Sequence, residues 1–169
     1  MILDRSLLQE MFAHAMSAPL APQGVREEAC GILAGVDGRA VKFFPATNKA
    51  HSPTRYEVDD KEVLQLVNRE LPANGWDVFG IFHSHTHSQA YPSTTDVNLA
   101  ANWPNVYYFI ASLRDEEPRL RAIGRDSGAR VEWEVTVASV LEIRAFRIDK
   151  DKVSEEVIEL ASPNTPMVS

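Results

Sequence analysis

Val78-Phe79-Gly80-Ile81-Phe82-His83-Ser84-His85-Thr86-His87-Ser88-Gln89-Ala90-Tyr91-Pro92-Ser93-Thr94-Thr95-Asp96 is the stretch on which the fold turns. Residues 78–82 form an apolar run of strand character, and the segment from Ser93 has the pattern of a helix start with Asp96 in its first turn. Side chains at i and i+2 of a strand share a face, so a strand continuing through His85 carries the imidazoles of His83 and His85 to one side. The loop from Thr86 to Pro92 then returns Asp96 towards them. Two imidazoles and a carboxylate suit zinc and leave a fourth position for water, which separates a catalytic zinc site from a structural one.

Each piece alone has a plainer account. A His-x-His pair is more often two polar strand residues than a ligand set, and Ser93 with Asp96 can be read simply as a helix cap and a carboxylate complementing the helix dipole. The combination favours the metal reading, because ligand number, type and reach are met together.

Outward from this stretch, the period of apolar residues predicts a helix over 6–16 with Asp4 as its cap, ended by Pro19 and Pro22. A buried strand over 30–35, an Asp37-Gly38 hairpin turn and a returning strand over 41–44 follow. Asp59 and Asp60 open a helix over 61–71; a further helix runs from Thr94 to about Asn102, and a buried strand spans 106–111. Strands are expected over 120–123, 131–137, 141–148 and 153–160. The fold class is α+β, a mixed domain with helices covering a largely antiparallel sheet.

With 169 residues, 44% of them hydrophobic, the chain fits a single domain with a substantial core, expected over 1–161, and a frayed tail over 162–169 containing Pro163 and Pro166. A net charge of -7 without a Lys/Arg cluster argues against nucleic acid. No run of roughly 20 apolar residues or signal peptide is visible, which argues against a membrane and makes the cytoplasm the expected location. The single cysteine, Cys30, allows no internal disulfide and reads as a small buried strand residue.

A hydrolytic zinc site also needs a group that carries a proton. Glu27 and Glu28, just before the strand at 30–35, are both candidates, and both can equally be solvated loop carboxylates. Arg55, Tyr56 and Tyr91 are candidates for the cleft rim.

Glu28-Ala29-Cys30-Gly31-Ile32-Leu33-Ala34-Gly35, followed by His83-x-His85 and Pro92-Ser93-x-x-Asp96, resembles the signature of the JAMM (MPN+) metalloproteases. Asn48, Ser52-Pro53-Thr54-x-Tyr56 and His83-Ser84-His85-Thr86 are most similar to the bacterial branch that acts on a ubiquitin-like sulfur carrier protein. The resemblance implies a cytidine-deaminase-like fold, Zn2+ held by His83, His85 and Asp96, Glu28 as general acid/base in place of Glu27, and Ser93 as an oxyanion donor. It also implies hydrolysis after the C-terminal Gly-Gly of a carrier, with release of cysteine. Removal of a ubiquitin-like modifier from lysines and a metal-free scaffold of the same fold are the alternatives. A zinc nucleobase deaminase is disfavoured, since no Pro-Cys-x-x-Cys pair exists.

Two departures from the pattern stand out. Thr86 and a third histidine, His87, follow the pair where proline is expected, and residues 119–148 exceed what the pattern requires, as if a hairpin were inserted. The added segment is a candidate surface for a homodimer or for substrate docking.

Overall fold

Strand β4 (Asp77–His85) carries the apolar run and both histidines, and lies between β2 (Cys30–Val36) and β5 (Tyr107–Ser112). The structure, a computed structural model, describes residues 1–22, 24–113, 120–122, 124–126, 129–131 and 141–161. β2 pairs antiparallel with β4 and with β3 (Arg39–Ala46). Asp37 and Gly38, at φ 50° and 75°, make the β2–β3 turn, the positive-φ pair that a two-residue hairpin requires. β5 instead runs parallel to β4, with His83 opposite Ile110. A parallel neighbour needs a crossover, and here it consists of a loop, helix α4 (Thr94–Leu99) and a 3-10 turn (Ala100–Asn102). That crossover is why the start of α4 lies beside the end of β4.

The remaining described strands extend the sheet on both sides. β9 (Leu141–Asp149) pairs antiparallel with β5 and with β10 (Lys152–Glu156). On the other side, β1 (Ile2–Leu3) lies parallel to β3 and to β11 (Ile158–Leu160), which meets the hairpin of β7 (Gly124–Asp126) and β8 (Ala129–Val131). β6 (Leu120–Ala122) runs parallel to the start of β9. The sheet is mixed, with most of its longer ladders antiparallel and β4–β5 as the long parallel one.

Each face has its own apolar layer. Helix α1 (Arg5–Ser17) lays Leu7, Leu8, Met11, Phe12 and Ala15 against Leu33, Phe43, Phe82 and Phe109. The opposite layer joins Cys30, Ile32, Ile81, Tyr108 and Ile110 to Leu66 and Leu71 of the second helical segment. A fully buried Leu, Ile or Phe contributes about 1.5–3 kcal/mol, so these two layers fix which way β4 faces. A bulge between Leu33 and Ala34 leaves Phe79 unpaired on β2, which places it with Phe82 on the α1 side. Beyond the bulge strict alternation returns, and His83 and His85 emerge on the side of Ile81. Gly80 is required there: a Cβ at that position would lie 2.6 Å from the Phe109 ring and 2.9 Å from the Tyr107 carbonyl.

Several expectations are refined. The helix expected over 61–71 starts as α2 (Asp60–Gln65), capped by Asp59, whose side chain accepts from the Lys61 and Glu62 amides. It continues through a π-helical turn (Leu66–Glu70) into α3 (Leu71–Asn74). Pro72 has no N–H to donate and its ring would crowd an α-helical carbonyl, so the Leu71 amide reaches back five residues to Leu66 and the widened turn takes the strain. The strand expected over 153–160 divides at Val157: β10 stays on β9, while β11 leaves to join β1. Asp4 precedes α1 as expected but makes no side-chain cap bond; it pairs with Arg39 at 3.2 Å. β1, two residues long, is too short to carry a period. Of the strand expected over 131–137, Val131 closes β8 and residues 132–140 lie outside the described residues, as does the tail 162–169. No helix among the described residues is long and apolar enough to cross a membrane.

Candidate metal centre

His83, His85 and Asp96 converge as the spacing predicts. His83 Nε2 lies 3.0 Å from His85 Nε2 and 3.3 Å from Asp96 Oδ1, and His85 Nε2 lies 3.4 Å from Asp96 Oδ2. All three side chains are buried. Ligand atoms around a tetrahedral zinc with bonds of about 2.0–2.1 Å are separated by roughly 3.3 Å, so the triangle already has the required size. Among the described residues this is the one group of three such side chains close enough to share an ion.

Neighbouring bonds set the donor atoms. His85 Nδ1 donates to the Gln89 carbonyl at 2.9 Å, which leaves the lone pair on Nε2, facing the cluster. His83 Nδ1 has no hydrogen-bond partner, and its ring is held by stacking: Tyr56 lies over it with centroids 4.3 Å apart and planes 19° from parallel. Burial lowers the pKa of His83, favouring the neutral form that ligates. Burial alone would raise the Asp96 carboxyl, but the imidazoles of His83 and His85 beside it, with the Ser93 hydroxyl, outweigh burial and hold the group well below the usual carboxylate range. His85 is shifted the other way: burial alone would lower it, but Asp96, the Gln89 carbonyl and Glu28 raise it, the charge balance of a site that a divalent cation would complete.

Ser93 is the N-cap of α4. Its Oγ accepts from the Asp96 amide at 3.2 Å and donates to Asp96 Oδ2 at 2.6 Å, while the Ser93 amide donates to the same oxygen at 2.7 Å. The capping account and the ligand account of these residues are thus one arrangement, because the box that starts the helix also aims the carboxylate.

The two glutamates separate. Glu27 turns to His51, with Oε1 3.2 Å from Nδ1. Glu28 lines a cavity of about 230 Å³ together with His85, Ser93 and Asp96. Burial pushes its carboxyl up to about 7, with His85 opposing and Asp96 adding to the rise. A carboxyl near 7 is suited to exchanging protons at neutral pH.

Asn48 organises the loop over residues 50–57, part of which lines the cavity. Its Nδ2 donates to the carbonyls of Glu28 (3.0 Å), Ser52 (3.4 Å) and Arg55 (3.0 Å), and its Oδ1 accepts from the Ala50 and Glu57 amides, each at 3.0 Å. Thr86 Oγ1 donates to the Pro53 carbonyl at 2.8 Å and stitches this loop to the one after β4. Arg55, Tyr56 and His87 line the cavity; Tyr91, 43% exposed, packs edge-on against Phe146 instead. Cys30 is fully buried, and burial raises its thiol to about 12, which leaves it inert. Asn48 and Tyr56 carry no periodic signal; only their place in the family motif marks them.

A mixed sheet that brings two strand histidines and a helix-start aspartate into one cluster defines the chain as a JAB/MPN-type domain; the fold is shared with a JAB1/MPN domain protein from Archaeoglobus fulgidus, at TM-score 0.51 and 16% identity over 96% of this chain and 100% of that one. The chain belongs to the Prok-JAB family, prokaryotic homologs of the JAB domain, whose model matches residues 4–124. A solution structure of a Desulfitobacterium hafniense protein is similar over 95% of this chain and 93% of that one, with TM-score 0.68 and 32% identity. The CysO-cysteine peptidase of Mycobacterium tuberculosis is 37% identical over 140 residues, 81% of this chain and 90% of that protein. A desampylase of Haloferax volcanii is 39% identical over 88 residues, 50% of this chain and 62% of that protein.

Proposed function

We propose that this chain is a zinc-dependent peptidase that hydrolyses the bond after the C-terminal Gly-Gly of a ubiquitin-like sulfur carrier protein and releases cysteine. The observation that carries the reading is the His83, His85 and Asp96 cluster, two of whose members, His85 and Asp96, share a cavity with Glu28. Similarity to a CysO-cysteine peptidase over most of both chains supports the substrate class.

His83, His85 and Asp96 are the residues that would hold the ion. When bound, zinc supplies a Lewis acid that draws the pKa of solvent towards about 7 and polarises a carbonyl. Glu28 takes the proton from the attacking water and delivers it to the departing nitrogen, so the scissile C–N bond breaks to a carboxylate and an amine. Ser93 Oγ turns its proton from Asp96 to the carbonyl oxygen as negative charge gathers there. The glycines of the tail, lacking side chains, let the extended chain approach the metal site closely.

The similarity to desampylases over half of the chain supports the second reading, an isopeptidase acting on lysine-linked modifiers. The test is a cleavage assay on a Gly-Gly-tailed carrier ending in cysteine, beside the same carrier joined to a lysine side chain. Faster cleavage of the cysteine form is expected; cleavage of the lysine form alone would favour the second reading.

A further inference from the structure

We infer that Arg55, with His87 in the lining of the same cavity, recognises a free α-carboxylate on the residue that leaves, which makes the enzyme selective for a terminal amino acid over a lysine side chain. The inference rests on the peptidase reading and adds to it the residues that choose the leaving group.

Arg55 is the one Lys or Arg side chain among the described residues that line the metal-site cavity. Its main chain is fixed, since the Arg55 carbonyl accepts from Asn48 Nδ2 and the next residue, Tyr56, is buried against His83. Its side chain is exposed, and among the described residues neither the guanidinium nor the ring of His87 has a hydrogen bond or ion pair. A chain of net charge -7 thus sets an unneutralised guanidinium at the edge of a cavity that already holds Glu28 and Asp96. An anion entering beside two carboxylates needs such a group.

Position assigns the side. A second cavity, about 530 Å³, joins the first at Arg55, Tyr56, Thr95 and Leu99 and has an apolar wall of Val63, Leu99 and Trp103. The larger channel, which has Glu57 and Asp60 in its lining beside the apolar wall, is assigned to the carrier's tail, and the smaller cavity, bounded beyond the junction by Pro53, Thr86 and His87, is left for the departing residue. The Thr86–Pro53 bond ties together the loops bearing His87 and Arg55 at this rim. A single carbon separates the α-carboxylate of a terminal amino acid from its scissile nitrogen, which puts the charge next to the junction where Arg55 stands. In a lysine isopeptide the nitrogen ends a four-methylene stem, and no carboxylate lies within that reach. Arg presents a planar fork of donors matched to a carboxylate, and an imidazole N–H adds a further donor.

The test compares three substrates of the zinc-loaded full chain: a Gly-Gly-tailed carrier ending in cysteine, the same carrier ending in cysteine amide, and the carrier joined to a lysine side chain. Wild type is expected to favour the acid over the amide by about tenfold or more in kcat/KM, since a site built to bind a group rejects the analogue lacking it. In Arg55→Gln that ratio should collapse towards one, and in Arg55→Lys it should be partly retained; circular dichroism and zinc content report whether each variant is folded and loaded. Equal wild-type rates on acid and amide, or an unchanged ratio in Arg55→Gln, would overturn the inference while leaving the peptidase reading intact. Failure to cleave any of the three would overturn both.

Discussion

Ser93 Oγ stands 2.6 Å from Asp96 Oδ2, so one hydroxyl both caps α4 and steadies the carboxylate of the His83–His85–Asp96 cluster. Ser93→Ala removes the cap, at about 1 kcal/mol of stability. If the hydroxyl also serves the reaction, turnover should fall by roughly a hundredfold or more, which is about 2.7–4 kcal/mol of barrier. Thermal unfolding and kcat on zinc-loaded protein separate the two. A stability loss with kcat unchanged would confine Ser93 to its structural part.

Glu28→Gln keeps the shape of the side chain and removes its base. Turnover should drop by about 10²–10⁴-fold, the usual scale of general acid–base catalysis, with zinc content unchanged. Normal cleavage by this variant would remove Glu28 from the proton path.

The Glu28 carboxyl is raised from 4.5 to about 7, chiefly by burial, and this fixes two pH dependences of opposite sign. The base form is the deprotonated one, so kcat/KM should rise with pH and inflect at or below about 7, since a nearby cation draws a carboxyl down. Stability runs the other way. A folded-state value above the unfolded one means the contribution is fully present below 4.5 and is lost as pH rises through about 7, in total about 3 kcal/mol. Denaturation of chelator-treated wild type and Glu28→Gln at pH 5 and pH 8 should show wild type losing more stability than the variant, and equal losses would contradict the buried setting of Glu28.

Asn48→Asp replaces a donor that serves three carbonyls with an acceptor facing them. A buried, unpaired polar group costs about 1–3 kcal/mol, more when charged, so the midpoint of unfolding should fall clearly and KM should rise as the loop bearing Arg55 and Tyr56 loosens. An unaltered midpoint would mean that the loop is held by other contacts.

The cluster was legible because its parts obey rules that act over short distances. Strand parity places His83 with His85, a capping signal starts α4 at Ser93, and a parallel β4–β5 pair demands the crossover that brings Asp96 back. The choice of Glu28 over Glu27 rests on the family resemblance, since adjacent loop carboxylates have the same local pattern; in the structure Glu27 faces His51, 24 residues on. Asn48, the Gln89 carbonyl and the Tyr56 ring act through contacts that no period encodes. The split at Val157 was hidden because one strand-forming residue separates β10 from β11 and the change of partner, from β9 to β1, leaves no break in the local sequence. The π turn was hidden because a single proline, Pro72, reads as a helix end rather than a widening.

The central claim is that His83, His85 and Asp96 hold one divalent cation on which cleavage depends. The most direct measurement is metal content and cleavage before and after chelation, on wild type and on His85→Ala and Asp96→Ala. One zinc per wild-type chain is expected, with activity lost on chelation and restored by zinc, and with little metal in either variant. Binding should also raise the unfolding free energy of wild type by about 4 kcal/mol at a thousandfold excess of zinc over its Kd, and this gain should vanish in the variants. Wild-type protein that takes up no zinc, or that cleaves undiminished after chelation, would contradict the account.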